Sequence, residues 1–276
     1  MDREAVFAEL RSDIAEGRTD QVPGKVTALV EEQGDMVTIL SCMSILKVIN
    51  DESIVPGLVE KLKTSVEGSD DLAFEAAQAL RALGHATEAY GMLKKLPRTG
   101  PVDSLAARCL SDMEEHEMAL DRLQTLKEPS VRDLCLMVST LGSLGEHRKA
   151  IEASEGLLAS HPKVYEVRAA YVSALLMGGR DKDAVKYIRA CLKEKTADSN
   201  ALAALVMRVT GNLKAAGGYA TRAVQLDPKH IGGMETLGIC LAQKGEIEKA
   251  RIVAGAINEI SPGDRAAVNV LSYCDL

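Results

Sequence analysis

Four glycines, Gly145, Gly179, Gly211 and Gly245, recur at intervals of 34, 32 and 34 residues, and this period constrains the chain more than any other feature. Each is followed five residues later by an alanine: Ala150, Ala184, Ala216 and Ala250. Twelve residues beyond those alanines stand Pro162, Thr196, Pro228 and Pro262. Each column has a physical reason. The glycine ends a first helix in a left-handed conformation that side chains resist. The alanine lets two antiparallel helices cross closely. The proline stops the second helix, because it lacks an N–H and fixes φ.

Apolar residues between the columns recur at three and four, as Met234, Leu237 and Leu241 do in one segment and Ile247, Ala250, Ala254 and Ile257 in the next. A helix–turn–helix of this length with Gly, Ala and Pro in these columns resembles the tetratricopeptide repeat family. Residues 231–264 match best, through Leu237, Gly238, Gly245, Ala250 and Pro262. Earlier copies depart from the pattern, with residues such as Leu134 and Arg168 in the aromatic columns. Upstream the rhythm continues at a shorter period, Ala89 to Ala119 to Ala150, with Gly84 five residues before Ala89. Segments 50–64 and 74–96 resemble HEAT repeats as much as tetratricopeptide ones. Both families stack helix pairs.

The expected fold class is therefore all-α: an α-α superhelix, a solenoid of about eight antiparallel helix pairs plus a C-terminal capping helix. The pairs are expected near 3–33, 36–64, 70–96, 102–126, 130–159, 163–194, 198–226 and 231–259. Degenerate TPR- or HEAT-like repeats over 1–130 run continuously into TPR-like repeats over 131–264, with the capping helix at 265–276. The first helix has a narrow apolar stripe, Val6, Phe7, Leu10 and Ile14, as an end cap should. The breaker cluster PRTGP at 97–101 reads as a loop.

With aromatics at 3% and no Trp, the core must be built from Ala, Leu, Val, Ile and Met, which suits closely spaced helices. Lys and Arg number 33 against 40 Asp and Glu, a net −7, which argues against a nucleic-acid partner. The halves differ: residues 1–138 carry −10 and residues 139–276 carry +3, an asymmetry that bears on association and not on fold. The start, MDREAVFAEL, lacks a signal-like apolar region, and the longest uncharged run, 134–145, is too short to span a bilayer. A cytoplasmic location and no membrane insertion are expected. The six cysteines stand at 42, 109, 135, 191, 240 and 274, with no C-x-x-C, so each reads as a small buried hydrophobe in a reducing compartment.

Sequence motifs for chemistry are lacking. EGRTDQVPGKVT at 16–27 fails the phosphate-loop spacing, with Val26 in the hydroxyl position. His85, His116 and His147 are spaced by 31 and 31, which places them on successive inter-helix turns, too far apart to share one ion; they read as solvent-facing. EEHEMAL lacks the second His of a zinc helix, and no nucleophile elbow occurs. Glu114, Glu115 and Glu117 form a solvated acidic turn, and Lys186, Arg189 and Lys193 a wet basic stripe on a second helix. Gly217 and Gly218, inside a second helix, point to close backbone packing against a neighbouring repeat. No catalytic residue, cofactor or metal is expected, and the chain is read as not an enzyme.

What remains is the groove. The resemblance implies that first helices line a concave surface, through Arg132, Cys135, Leu136 and Ser139; Glu166, Ala169, Ala170 and Ser173; Asp198, Ala201, Leu202 and Leu205; and Glu235, Thr236 and Ile239. The family's carboxylate clamp needs Lys and Asn there, and this chain has neither. Small and aliphatic residues suit an apolar helix or extended segment of a partner protein. A register one residue off would instead make these positions inter-helix core. The functional expectation is a non-enzymatic interaction scaffold or adaptor. The alternative is a structural or regulatory subunit of a larger enzyme complex or homo-oligomeric assembly, self-associating through an end face.

Overall fold

The computed structural model describes residues 2–261 and 264–274. Pro262, the last member of the proline column, lies outside the described residues, as do the final two residues of the expected capping segment. The described residues are all-α, with no strand. The chain divides into two compact units, Met1–Met113 and Glu114–Leu276.

The first unit contains α1 (Arg3–Ala15), α2 (Val22–Glu32), α3 (Met36–Val48), α4 (Val55–Ser65), α5 (Asp70–Leu83), α6 (Ala86–Leu93) and α7 (Gly100–Asp112). α1 packs on α2, α3 on α4 and α5 on α6, and α3, α5 and α7 also pack on one another in turn. Leu10, Leu29, Ile39, Leu46, Leu62, Leu80 and Leu110 are fully buried, each contributing about 1.5–3 kcal/mol of transfer free energy. The end-cap stripe of α1 is as narrow as its spacing implies: Val6 and Leu10 are buried, Phe7 and Ile14 half-buried. Its buried acid, Asp13, is neutralised by Lys25 from α2 at 2.6 Å and by Arg18 from the connecting turn at 2.7 Å. The 97–101 loop is shorter than expected, because Thr99 caps α7 and Gly100 and Pro101 form its first turn.

The second unit contains α8 (His116–Gln124), α9 (Val131–Ser143), α10 (His147–Ser160), α11 (Tyr165–Met177), α12 (Asp181–Cys191), α13 (Ala197–Val209), α14 (Leu213–Leu226), α15 (Ile231–Ala242), α16 (Ile247–Ile260) and α17 (Arg265–Ser272). Gly145, Gly179, Gly211 and Gly245 all have left-handed backbones, with φ between 69° and 84°. In every repeat the N–H after the glycine donates to a carbonyl of the first helix's last turn: Leu141, Leu175, Met207 and Leu241 accept at 2.7–3.0 Å. That is the Schellman closure, so the glycine column is a row of helix ends. Ala150, Ala184, Ala216 and Ala250 have no exposed surface, and any longer side chain there would force the two helices of a pair apart.

The proline column fails at Thr196 for a visible reason. There the second helix ends in one turn of 3-10 helix, Leu192–Glu194, and a left-handed Lys195. Thr196 then opens α13 with a reciprocal cap, its hydroxyl accepting from the Ser199 N–H at 3.1 Å. The glycine pair in α14 does not do what its position suggests. A Cβ on Gly218 would meet nothing within 4 Å, and one on Gly217 would meet only the Lys244 ammonium at 3.4 Å. Close backbone approach occurs instead at Gly232 against Tyr165 and at Gly238 against Val270.

Candidate functional site

The first helices of the second unit, α9, α11, α13, α15 and α17, each pack on the next and form one continuous wall. Four of the five N-termini carry polar caps: Ser130 with Asp133 on α9, Thr196 with Ser199 on α13, the His230 ring on α15 and Asp264 on α17, whereas Val164 at the start of α11 offers no side-chain cap. The caps fix where those four helices begin.

The expected groove residues separate into three groups. Arg132, Ser139 and Glu166 are exposed. Cys135, Leu136, Ala169, Ala170, Ser173, Asp198, Leu205 and Glu235 are half-buried, open on one side. Ala201, Leu202, Thr236 and Ile239 are buried, at 0, 0, 3 and 2% exposure, and offer a partner no surface. Those four belong to the inter-helix core of α13 and α15. Of the expected positions, those with accessible surface are most numerous on α9 and α11; beyond them they are Asp198, Leu205 and Glu235.

Acidic residues concentrate around one aromatic ring on this wall. Burial pushes the Tyr165 hydroxyl well above its ordinary value, and the negative charges of Glu235, Asp198 and Glu166 push the same way. The ring edge of Tyr165 meets His230 with centroids 4.5 Å apart. His230 is itself buried, its Nε2 lying 3.1 Å from Asp198 Oδ1 while its Nδ1 accepts the Gly233 N–H at 3.0 Å. Glu235 accepts from Asn269 of α17 at 2.7 Å. Cys135 is pushed up to about 11 by burial and by the charge of Glu166, which keeps it a thiol. Residue types alone hid Tyr165 and His230, which are ordinary in sequence and meet only because α11, α13 and α15 share an edge.

Lys186, Arg189 and Lys193 are exposed, as are Glu114, Glu115 and Glu117. The turn histidines are not solvent-facing: all three are half-buried, and Nδ1 of His116 and of His147 is secluded without a hydrogen-bond partner. The His147 Cβ lies 3.6 Å from the Cβ position at Gly178, beside the end of α11. Cys42, Cys109, Cys191 and Cys240 are buried, while Cys135 and Cys274 are half-buried, the latter in the turn after α17. No group of three or more His, Cys, Asp or Glu among the described residues is arranged to hold a metal ion. No helix among them is long and apolar enough to cross a membrane.

The bacterial transcriptional activator domain family matches residues 102–209, less than half of the chain. No curated protein sequence matches. Among solved structures, a tetratricopeptide repeat protein from Parabacteroides merdae ATCC 43184 is similar at a TM-score of 0.53 with 12% identity, over 87% of this chain and 98% of that one. Yeast Tom70 is similar at a TM-score of 0.50 with 11% identity, over 93% of this chain and 58% of its own. Together with the Schellman glycines and buried alanines in register, these similarities give the chain the fold of the tetratricopeptide repeat proteins.

Proposed function

We propose that the chain is a non-enzymatic interaction scaffold that holds an apolar helix or extended segment of a partner protein against the wall of first helices in its second unit. The observation that carries this reading is the run of half-buried, outward-open small and aliphatic side chains, Cys135, Leu136, Ala169, Ala170, Ser173 and Leu205, on helices that touch. A segment covering a few hundred Å² of such a wall gains several kcal/mol at about 25 cal/mol per Å², before ordering is subtracted. Glu166, Asp198 and Glu235 add a negative flank that favours a cationic residue at one end of the segment. The matching family's name refers to transcriptional activators; a net charge of −7 suits a protein-contacting part of such a system better than a DNA-contacting one.

The test is affinity capture from the source organism with wild type and Leu205→Glu chains side by side. A partner retained by the wild type and lost by the variant, with helicity unchanged, supports the reading. Equal retention by both overturns it.

A second reading, a subunit that self-associates or joins a larger assembly, draws on the end helix, where Val268 and Leu271 are 54 and 37% exposed. Sedimentation of the wild type against Val268→Lys tests it, with dissociation in the variant as the supporting result and an unchanged monomer as the opposing one.

A further inference from the structure

Two successive pairs of the second unit differ at equivalent positions in a way that opens a cleft. In the α11/α12 pair, Arg168 is 4% exposed and donates to Glu194 at 3.0 and 3.1 Å, in a crevice it shares with Tyr187. One repeat of 32 residues later, Asn200 stands in place of Arg168, Tyr219 in place of Tyr187 and Leu226 in place of Glu194. The long guanidinium and its carboxylate are gone, and the α13/α14 crevice is open: a cleft of about 490 Å³, lined by Leu192, Lys195, Asn200, Tyr219, Arg222 and Leu226.

We infer that this cleft binds an acidic segment of a partner protein, with one carboxylate between Lys195 and Arg222 and a neighbouring apolar side chain on Leu192 and Leu226. Neither cation has an ion-pair partner among the described residues; Arg222 only stacks over the Tyr219 ring, 5.8 Å from its centroid. Glu194, on the same turn as Lys195, is already held by Arg168. Asn200 is 7% exposed and spends one amide hydrogen on the Thr196 carbonyl at 2.8 Å, while its Oδ1 accepts nothing among the described residues. That oxygen suits a backbone N–H of an incoming chain. Leu226, 57% exposed, would stay in water beside a small anion and is covered by a peptide side chain. The cleft therefore fits a charged-plus-apolar segment, not a lone anion, and it does not depend on the wall of first helices.

The experiment titrates an N-acetylated, C-amidated Leu-Glu-Asp-Leu peptide into the isotope-labelled full chain and follows amide chemical shifts. Saturable shifts at the Asn200 side-chain amide and at the Tyr219 and Arg222 backbone amides are expected, with affinity about tenfold weaker in Arg222→Glu and in Lys195→Glu. Lys186→Glu, on the exposed stripe, should leave the affinity unchanged, and the peptide with Gln in place of its acids should give no saturable shift. The inference is overturned if the shifts are absent, if they spread evenly over basic surface, if both cleft variants bind as well as the wild type, or if inorganic phosphate alone reproduces them.

Discussion

Arg168 and Glu194 are joined by two hydrogen bonds, at 3.0 and 3.1 Å, between a guanidinium with 5% of its side-chain surface in water and a carboxylate with 49%. The pair ties the first helix α11 to the turn that closes α12, at the position where the next repeat leaves its cleft. Removing Glu194 alone strands a secluded cation, and Glu194→Ala should lower stability by about 2 kcal/mol; half-exposure of the acid keeps this below the ~3–5 kcal/mol of a fully buried pair. The double change Arg168→Met with Glu194→Ala should be less harmful than the single one, because no charge is left unpaired. Urea denaturation of the three chains checks the order, and a double variant less stable than Glu194→Ala contradicts it.

Asp13 makes the first unit sensitive to acid. Hydrogen bonds from Lys25, and after it Arg18, hold its carboxyl below the ordinary 3.8, against the opposing effect of burial. A group depressed in the folded state stabilises fully above its unfolded value and loses that contribution as pH falls through the folded one. The wild type should therefore lose stability below pH 3.8 more steeply than Asp13→Asn, while above it the variant should be the less stable of the two. Urea midpoints for both chains between about pH 2 and 6 test this, and parallel profiles would contradict it.

Two glycines should respond oppositely to alanine. Gly218 is helical, exposed and open on its Cβ side, so Gly218→Ala should stabilise by about 0.5–1 kcal/mol. A Cβ on Gly238 would lie 2.7 and 2.8 Å from the two Val270 methyls, so Gly238→Ala should force α17 from α15 and destabilise by about 1–3 kcal/mol. Thermal melts of the two variants decide the matter.

The architecture was legible because its requirements are local. A left-handed turn favours glycine, as at Gly145 and Gly245, although Glu114 and Lys195 adopt it too, and a close helix crossing needs Ala150 or Ala250, so the period shows in the residues themselves. The register of the wall was not legible. In α13 every residue from Ser199 to Ala204 is buried, so no polar stripe marks which side faces out. Rotation by one residue, ~100° about the helix axis, separates groove from core, and packing against α15 decides it. That is why Ala201 and Leu202 turned inward while Leu205 stayed open. The cleft beside α14 was hidden for another reason: it follows from a polar exchange, Arg168 for Asn200, outside the Gly, Ala and Pro columns that set the period.

Salt should distinguish the wall from the cleft. Partner binding to the wall rests on apolar burial with a short acidic flank and should weaken only a few-fold between about 0.05 and 0.5 M salt. Peptide binding at Lys195 and Arg222 should fall far more steeply over the same range. Equal slopes would mean that one surface serves both.

Site-specific photo-crosslinking reports which surface a partner occupies. A benzophenone side chain placed at Ser173, half-buried on α11, and separately at Lys186, exposed on α12, is irradiated with the chain in extract of its source organism. A discrete protein adduct from position 173, absent from position 186 and abolished by Leu205→Glu with helicity unchanged, is the predicted result. Adducts from position 186 alone, or adducts at 173 indifferent to Leu205→Glu, would contradict the account.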